Sequence, residues 1–237
     1  MKLNYHEIVP SVIMNSQKGQ DAFIQATFDK IGYTNKYYVD LGATDGFHLS
    51  NVSFLRERDG WTGLLLEGDT QYLENKDINL YIKRISKDNV CDLFNQYSVP
   101  EEFDFLCVDL DGMDYWILKS VLEKYRPRVV MVETNVRFEP DESYTLKYDD
   151  NWNWDGSAWY GASPLAFKKL FESFGFSVVW VHVDDMIAIK DEVLDFFGYE
   201  KPEWSYVYPS SNKSLYDTHT RGGRLVTEID INDWEEV

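Results

Sequence analysis

Two periods alternate along this chain: short, nearly continuous apolar runs, and stretches whose apolar residues recur with the 3.6-residue spacing of a helix. Gln20 to Ile31 has helical spacing, with Phe23, Ala26, Thr27 and Lys30 drifting round a face that Ile24, Phe28 and Ile31 complete. Tyr37 to Leu41 reads as a strand that runs straight into a glycine loop. Asn51 to Arg58 predicts a short helix with Val52 and Leu55 on one side, ended by Gly60. Thr62 to Leu66 is the kind of apolar run found in parallel strands covered on both faces. Leu80 to Ile85 gives a weaker third strand and Asp104 to Leu110 a fourth. A helix follows over Tyr115 to Tyr125, on the spacing of Leu118, Val121, Leu122 and Tyr125; Arg126-Pro127 stops it, because the residue before proline is pushed out of the helical region.

Arg128 to Glu133 is a valine-rich fifth strand. The irregular aromatic stretch from Phe138 to Tyr160 is too long for a mere connection and is a candidate functional loop. Ser163-Pro164 then opens a helix, as N-cap and first helical residue, and Gly175 closes it. Phe176 to Val183 and Met186 to Lys190, parted by Asp184-Asp185, predict a hairpin. The whole is an α/β pattern: a mostly parallel, doubly wound sheet with an antiparallel C-terminal hairpin. One domain over residues 1–237 is expected, with its core at about 15–195 and an extension at 198–237 that has no clear period.

Composition narrows the function. Asp and Glu outnumber Lys and Arg by 41 to 23, a net charge of -18 that repels a phosphate backbone, so nucleic acid is not an expected partner. No apolar run approaches the roughly 18 residues of a membrane helix, and no basic-then-apolar leader opens the sequence; a soluble, cytoplasmic protein is expected, without a membrane partner. Cys91 and Cys107 stand far apart and read as reduced, buried thiols. His6, His48, His182 and His219 make no metal spacing, and no metal site is assigned.

In an open α/β sheet, ligands bind beyond the carboxyl ends of the strands, and the first strand-to-helix turn carries the glycines. Tyr37-Tyr-Val-Asp-Leu-Gly-Ala-Thr-Asp-Gly46 fits that turn. Its spacing is G-x-x-x-G, unlike the G-x-G-x-x-G of dinucleotide enzymes, and Asp40 sits where a phosphate loop would not welcome a carboxylate. A cationic ligand would tolerate it. Glu67 ends the second strand about twenty residues on, where an acid accepts hydrogen bonds from both hydroxyls of a ribose. Loop and acid together specify a nucleoside without a pyrophosphate, against the plainer reading of ordinary polar residues at strand ends.

Asp109 and Asp111 are two apart at a strand end, so they share a face if the strand persists. They could hold a divalent cation, act as general base or position a ligand, whereas Asp111 and Asp114 could equally turn and cap the next helix. Glu133 and Asn135 repeat the arrangement after the fifth strand, where a buried carboxylate needs a partner, a cation or the crevice. In the aromatic loop, Trp152, Trp154, Trp159 and Tyr160 among Asp149, Asp150 and Asp155 suit a polyhydroxylated ligand by stacking, or simply pack the loop down. Ser163 lacks the second glycine of a nucleophile elbow and reads as a helix cap.

In order and spacing, Ser16-Gln-Lys-Gly-Gln-Asp21, Tyr38-Val-Asp-Leu-Gly-Ala-Thr-Asp-Gly46, Asn51-Val-Ser-Phe-Leu, Gly60-Trp-Thr-Gly-Leu-Leu-Leu-Glu67, Asp104-Phe-Leu-Cys-Val-Asp-Leu-Asp-Gly112, Pro127-Arg-Val-Val-Met-Val-Glu-Thr-Asn135 and Tyr160-Gly-Ala-Ser163 resemble the FkbM-like methyltransferases that use S-adenosylmethionine (SAM). The resemblance runs over roughly residues 15 to 190. It implies a Rossmann-like class I methyltransferase fold, SAM as methyl donor and an oxygen nucleophile on a small-molecule or glycan acceptor. By position it makes Asp40, Gly42, Ala43, Asp45, Gly46, Glu67, Gly68 and Asp109 cofactor-binding residues. The base candidates are Asp109, Asp111 and Glu133, and Asn135, Trp159 and Tyr160 are candidates for binding the acceptor. Thr44 stands where many methyltransferase loops have a glycine. A degenerate member kept as a binding or scaffold protein is the alternative, and a metal-dependent enzyme using Asp109, Asp111, Glu133 and Asn135 is a third reading.

Overall fold

The computed structural model describes residues 15–157, 159–182, 184–208 and 233–237. A helix, α1 (Gln20–Ile31), leads into strand β1 (Tyr37–Leu41); α2 (Ser53–Asp59), β2 (Thr62–Glu67) and β3 (Leu80–Ile82) follow. Next come α3 (Val90–Gln96), β4 (Glu102–Val108), α4 (Asp114–Lys124) and β5 (Arg126–Glu133). A short strand β6 (Tyr144–Leu146) precedes α5 (Pro164–Ser173), the hairpin β7 (Phe176–His182) and β8 (Asp185–Lys190), α6 (Asp191–Phe196), α7 (Trp204–Val207) and β9 (Trp234–Glu236).

Seven strands form one sheet in the order β3-β2-β1-β4-β5-β8-β7, parallel from β3 to β5 and antiparallel from β5 onward. The expected doubly wound sheet with an antiparallel edge is therefore present. Strand alternation divides the core in two. Val39, Leu41, Leu64, Leu66, Leu106, Val108, Val130 and Val132 pack against α3, α4 and α5. Tyr38, Leu65, Phe105, Cys107, Val129 and Met131 pack with residues of α1, α2 and α6 on the other face. Both cysteines are buried free thiols, as expected. Among the described residues, no helix is long and apolar enough to cross a membrane.

Several boundaries differ from the sequence reading. The buried stripe of α1 is Phe23, Ile24, Thr27, Phe28 and Ile31; Lys30 is exposed and Ala26 only half-buried. The third strand stops at Ile82, the fourth ends at Val108, and the fifth begins at Arg126 with Pro127 inside it, facing Phe103 across the ladder. Helix α3 was not expected; reciprocal bonds start it, with Ser86 N donating to Asn89 Oδ1 and Asn89 N to Ser86 Oγ. Ser163 caps α5 as predicted, its Oγ accepting from Ala166 N at 3.2 Å. Part of the C-terminal extension is now placed: β9 pairs with β6 inside the aromatic loop. Residues 209–232 lie outside those described.

Candidate functional site

The carboxyl ends of β1, β2 and β4 open into a cleft of about 710 Å³. Its floor is Gly42 and Thr44 from the loop after β1, Glu67 and Gly68 from the end of β2, and Asp109 to Asp111 beyond β4. Gly42 has φ +92°, and a Cβ there would lie 1.7 Å from the Asp109 carbonyl oxygen. Only glycine lets this loop turn while the backbone leaving β4 crosses against it. The crossing is hydrogen-bonded, Asp109 N donating to Leu41 O at 3.0 Å.

Glu67 is 8% exposed, and both its oxygens are oriented by the backbone. Oε2 accepts from Thr44 N and Oε1 from Asp69 N, each at 2.7 Å. A carboxylate held this way keeps a lone pair on each oxygen for hydroxyl donors from the cleft. Six of the cleft's lining residues are acidic (Glu67, Asp69, Asp109, Asp111, Asp149 and Asp150), against a single basic one, Arg84. Arg84 is itself turned to the aromatic loop, donating to the carbonyls of Asp150 and Trp152. Such a lining favours a cationic ligand and repels a polyphosphate.

The sheet register explains a second feature. Asp40 lies opposite Cys107, Cys107 opposite Met131, and Glu133, two residues after Met131, opposite Asp185. With a two-residue side-chain period, Asp40, Cys107, Glu133 and Asp185 all point to the α1 face at the same end of the sheet. Asp109, Asp111 and Glu133 meet there, each offering an oxygen within 4.8 Å of the others. Asp109 and Asp111 were to share a face if the strand persisted; it ends at Val108 instead, and Asp111 takes φ +53°, so a left-handed turn brings the two together. Asp114 shapes that turn by accepting from Leu110 N and Gly112 N, both at 2.8 Å, which is its structural reading fulfilled.

Burial is the largest influence on Asp109, Glu133 and Asp40, and these three are driven above the ordinary carboxylate range. Asp109 is raised well above it by burial, then by Asp185, Asp111, Asp114 and Asp184; Glu133 likewise by burial, then by Asp109, Asp111 and Asp184. Burial, with a smaller push from Glu67, takes Asp40 to about 7, although the Cys107 thiol donates a hydrogen bond to it. The segment before α1 reaches over this end of the sheet: Lys18 pairs with Asp184, and Gln20 Nε2 donates to Asp185 Oδ2 at 2.6 Å. Asp21 accepts from Asn15 N and Ser16 N. The Ser16–Asp21 motif thus closes the N-terminal segment onto the hairpin.

Not every candidate comes to the cleft. Asp40 is buried beneath the loop with Cys107, and Ala43 is a core residue. Asp45 forms a local turn, accepting from Phe47 N and His48 N at 2.8 and 2.7 Å, and neither it nor Gly46 lines the cleft. A Cβ on Gly46 would meet Ile78 at 2.7 Å, so this glycine serves packing. Asn135 is fully buried and ties the chain together, giving Nδ2 to Tyr160 O and taking Arg137 N on Oδ1. Neither Trp159 nor Tyr160 is among the cleft residues; the aromatic wall is Tyr148, Trp152 and Trp154 instead. Trp152 lies against Gly112, where a Cβ would come within 2.1 Å of its ring, and its Nε1 donates to Asp111 O at 3.1 Å. His48 lies away from the cleft; His6 and His219 are outside the described residues.

Five parallel strands in the order 3-2-1-4-5, extended by an antiparallel hairpin and with a ligand-sized cleft at their carboxyl ends, define a Rossmann-like, doubly wound sheet. No family model and no curated protein matches the sequence. Among solved structures, the chain is similar to the CurJ carbon methyltransferase at 10% identity and a TM-score of 0.45, over 73% of this chain and 55% of that one. It is similar to a SAM-dependent methyltransferase from Aquifex aeolicus at 12% identity and a TM-score of 0.40, over 70% and 88% of the two chains. A third, the human methyltransferase 10 domain containing protein, gives 12% identity and a TM-score of 0.42, over 73% and 81%. The chain thus spans little more than half the length of the CurJ enzyme. Likenesses at this level concern only the path of the chain, so the chemistry has to come from the cleft itself.

Proposed function

We propose that the chain is a SAM-dependent methyltransferase acting on a hydroxyl oxygen of a small polyhydroxylated acceptor, a sugar or related metabolite, in the manner of the FkbM-like enzymes its motifs resemble. The observation that carries this reading is Glu67: a buried carboxylate at the end of β2, preset by two backbone N–H groups and lining an acidic cleft beside Gly42.

The residues present fit the donor. Glu67 would take the ribose hydroxyls, and the apolar side chains of Ile85, Leu110, Met113 and Ile117 offer its flat base a dry surface. The surrounding carboxylates suit a sulfonium cation and argue against a nicotinamide or nucleotide pyrophosphate. When bound, SAM would supply an electrophilic methyl carbon for an acceptor oxygen, with the neutral thioether as leaving group. What the protein must add is alignment and removal of the hydroxyl proton. Asp109, with its raised proton affinity at the cleft floor, is the proposed base, supported by Asp111 and Glu133. Trp152 and Trp154 form a wall against which a sugar ring can stack.

Transfer of a labelled methyl group from SAM to a panel of sugars and hydroxylated metabolites tests the reading. Label recovered as an alkali-stable methyl ether supports it. Binding of the donor with no transfer to any acceptor, or label on carbon or nitrogen, would sink the O-methyltransferase assignment.

A further inference from the structure

The three carboxylates that converge beyond β4 and β5 have a property that proton transfer alone does not require. Glu133 is 6% exposed, and its Oε2 is enclosed with no hydrogen-bond partner. A buried carboxylate oxygen left unsatisfied is costly, and native proteins seldom tolerate one without a ligand to complete it. Among the described residues, no lysine or arginine forms an ion pair with Glu133 or Asp109; Lys18, which reaches this end of the sheet, is engaged by Asp184.

We infer that Asp109, Asp111 and Glu133 form a binding site for one hard divalent cation of the magnesium, manganese or calcium type. The three oxygens lie within 4.8 Å of one another. Ligands of a single octahedral cation held at about 2.4 Å are separated by about 3.4 Å when adjacent and about 4.8 Å when opposite, so this cluster is already close to coordinating dimensions. All three donors are carboxylate oxygens, which suits hard cations over zinc or copper. The ion's two positive charges offset most of the three negative ones, which otherwise only repel one another. Asp111 and Asp109 are partly open to the cleft while Glu133 is buried, so a cation held there would keep coordination positions facing the cleft. The inference stands on this geometry and does not depend on SAM. If both hold, the carboxylates become ligands, and the cation acidifies the acceptor hydroxyl in place of a carboxylate base.

The test uses the full chain, stripped with chelator and dialysed. Manganese binding is followed by loss of the free-ion paramagnetic resonance signal, and magnesium is titrated in competition. One manganese per chain, displaced by magnesium, is expected. Glu133→Gln and Asp111→Asn should each weaken it by about tenfold or more, since even supporting residues of metal sites contribute on that scale. Glu192→Gln, an exposed change in α6 beyond the far end of β8, should leave it unaltered. A second readout guards against misfolding: the cation should raise the wild-type melting temperature, and Glu133→Gln, relieved of like-charge repulsion, should melt no lower than wild type in chelator and gain nothing from the cation. No binding of either metal at millimolar concentration, or unchanged binding in both variants, overturns the inference. S-adenosylhomocysteine titrated separately in chelator keeps the two proposals distinguishable, because the donor reading fails only there.

Discussion

Strand β4 begins and ends with the same chemistry under opposite conditions. Near its start, Asp104 is fully buried, yet both oxygens are occupied: Thr34 N and Oγ1, Asn35 N and Lys36 N donate to it, and Arg128 pairs with it at 2.8 Å. Those partners outweigh burial and hold its carboxyl below the usual range. Just past its other end, Asp109 meets four further acids and is pushed well above that range. A carboxylate whose charge is compensated holds structure together; one whose charge is left exposed to its own kind is held in readiness for something from outside. In an open α/β sheet the second condition belongs at the carboxyl ends of the strands.

The contrast is open to experiment, beginning with the largest effect. Asp104→Ala leaves a half-buried guanidinium without its counter-ion and several backbone N–H groups without an acceptor, and should cost about 3 to 5 kcal/mol in denaturant unfolding while leaving donor affinity of the surviving folded protein unchanged. Gly42→Ala drives a methyl group into the Asp109 carbonyl and should destabilise by about 1 to 3 kcal/mol, but unlike Asp104→Ala it should also abolish binding of S-adenosylhomocysteine. Glu67→Gln keeps the shape and loses one acceptor, so affinity should fall about tenfold, roughly 1.4 kcal/mol, measurable by calorimetry. An equal affinity in Glu67→Gln would remove the ribose assignment.

The smallest effects are in the pH dependence, and they have opposite signs. For Asp104 the folded value is lowered, so its stabilisation is complete above the ordinary carboxylate range and is lost as acid takes the pH down through the lowered value. For Asp40 the folded value is raised to about 7. Between about 4 and 7 the folded state then binds more protons than the unfolded one, and stability falls as pH rises. Asp40→Asn should therefore stabilise the protein at pH 8 and lose that advantage toward pH 4, in thermal melts across the range. A gain that grows with acid would contradict the assignment.

The parts legible in the sequence were those with a local cause. Helix α5 announces itself through Ser163-Pro164, and β1, β2 and β5 through apolar runs that only a doubly covered sheet explains. The place of Glu67 at the cleft was legible because, in an open α/β sheet, the glycine loop and the end of the next strand meet at the carboxyl edge. Helix α3 was overlooked although the Ser86–Asn89 reciprocal cap was a usable signal; seven residues give little periodicity to see. Trp152, Trp154, Trp159 and Tyr160 all stood out in the aromatic loop, but nothing in the pattern chose among them or pointed to Tyr148. Trp152 reaches the cleft because Gly112 leaves room for its ring, a contact between segments that share no pattern, whereas Trp159 and Tyr160 sit nearer the familiar motif and turn elsewhere. Asp45 misled for a related reason, since its carboxylate is consumed by its own turn, as those of turn aspartates often are.

The central claim is that the acids at the carboxyl end of this sheet form a donor site organised by Glu67. Calorimetric titration of the intact chain with S-adenosylhomocysteine tests it most directly. One site per chain, weakened in Glu67→Gln and unchanged in the folded fraction of Asp104→Ala, is the result the account predicts. No heat of binding at any accessible concentration, or binding indifferent to Glu67, would contradict it.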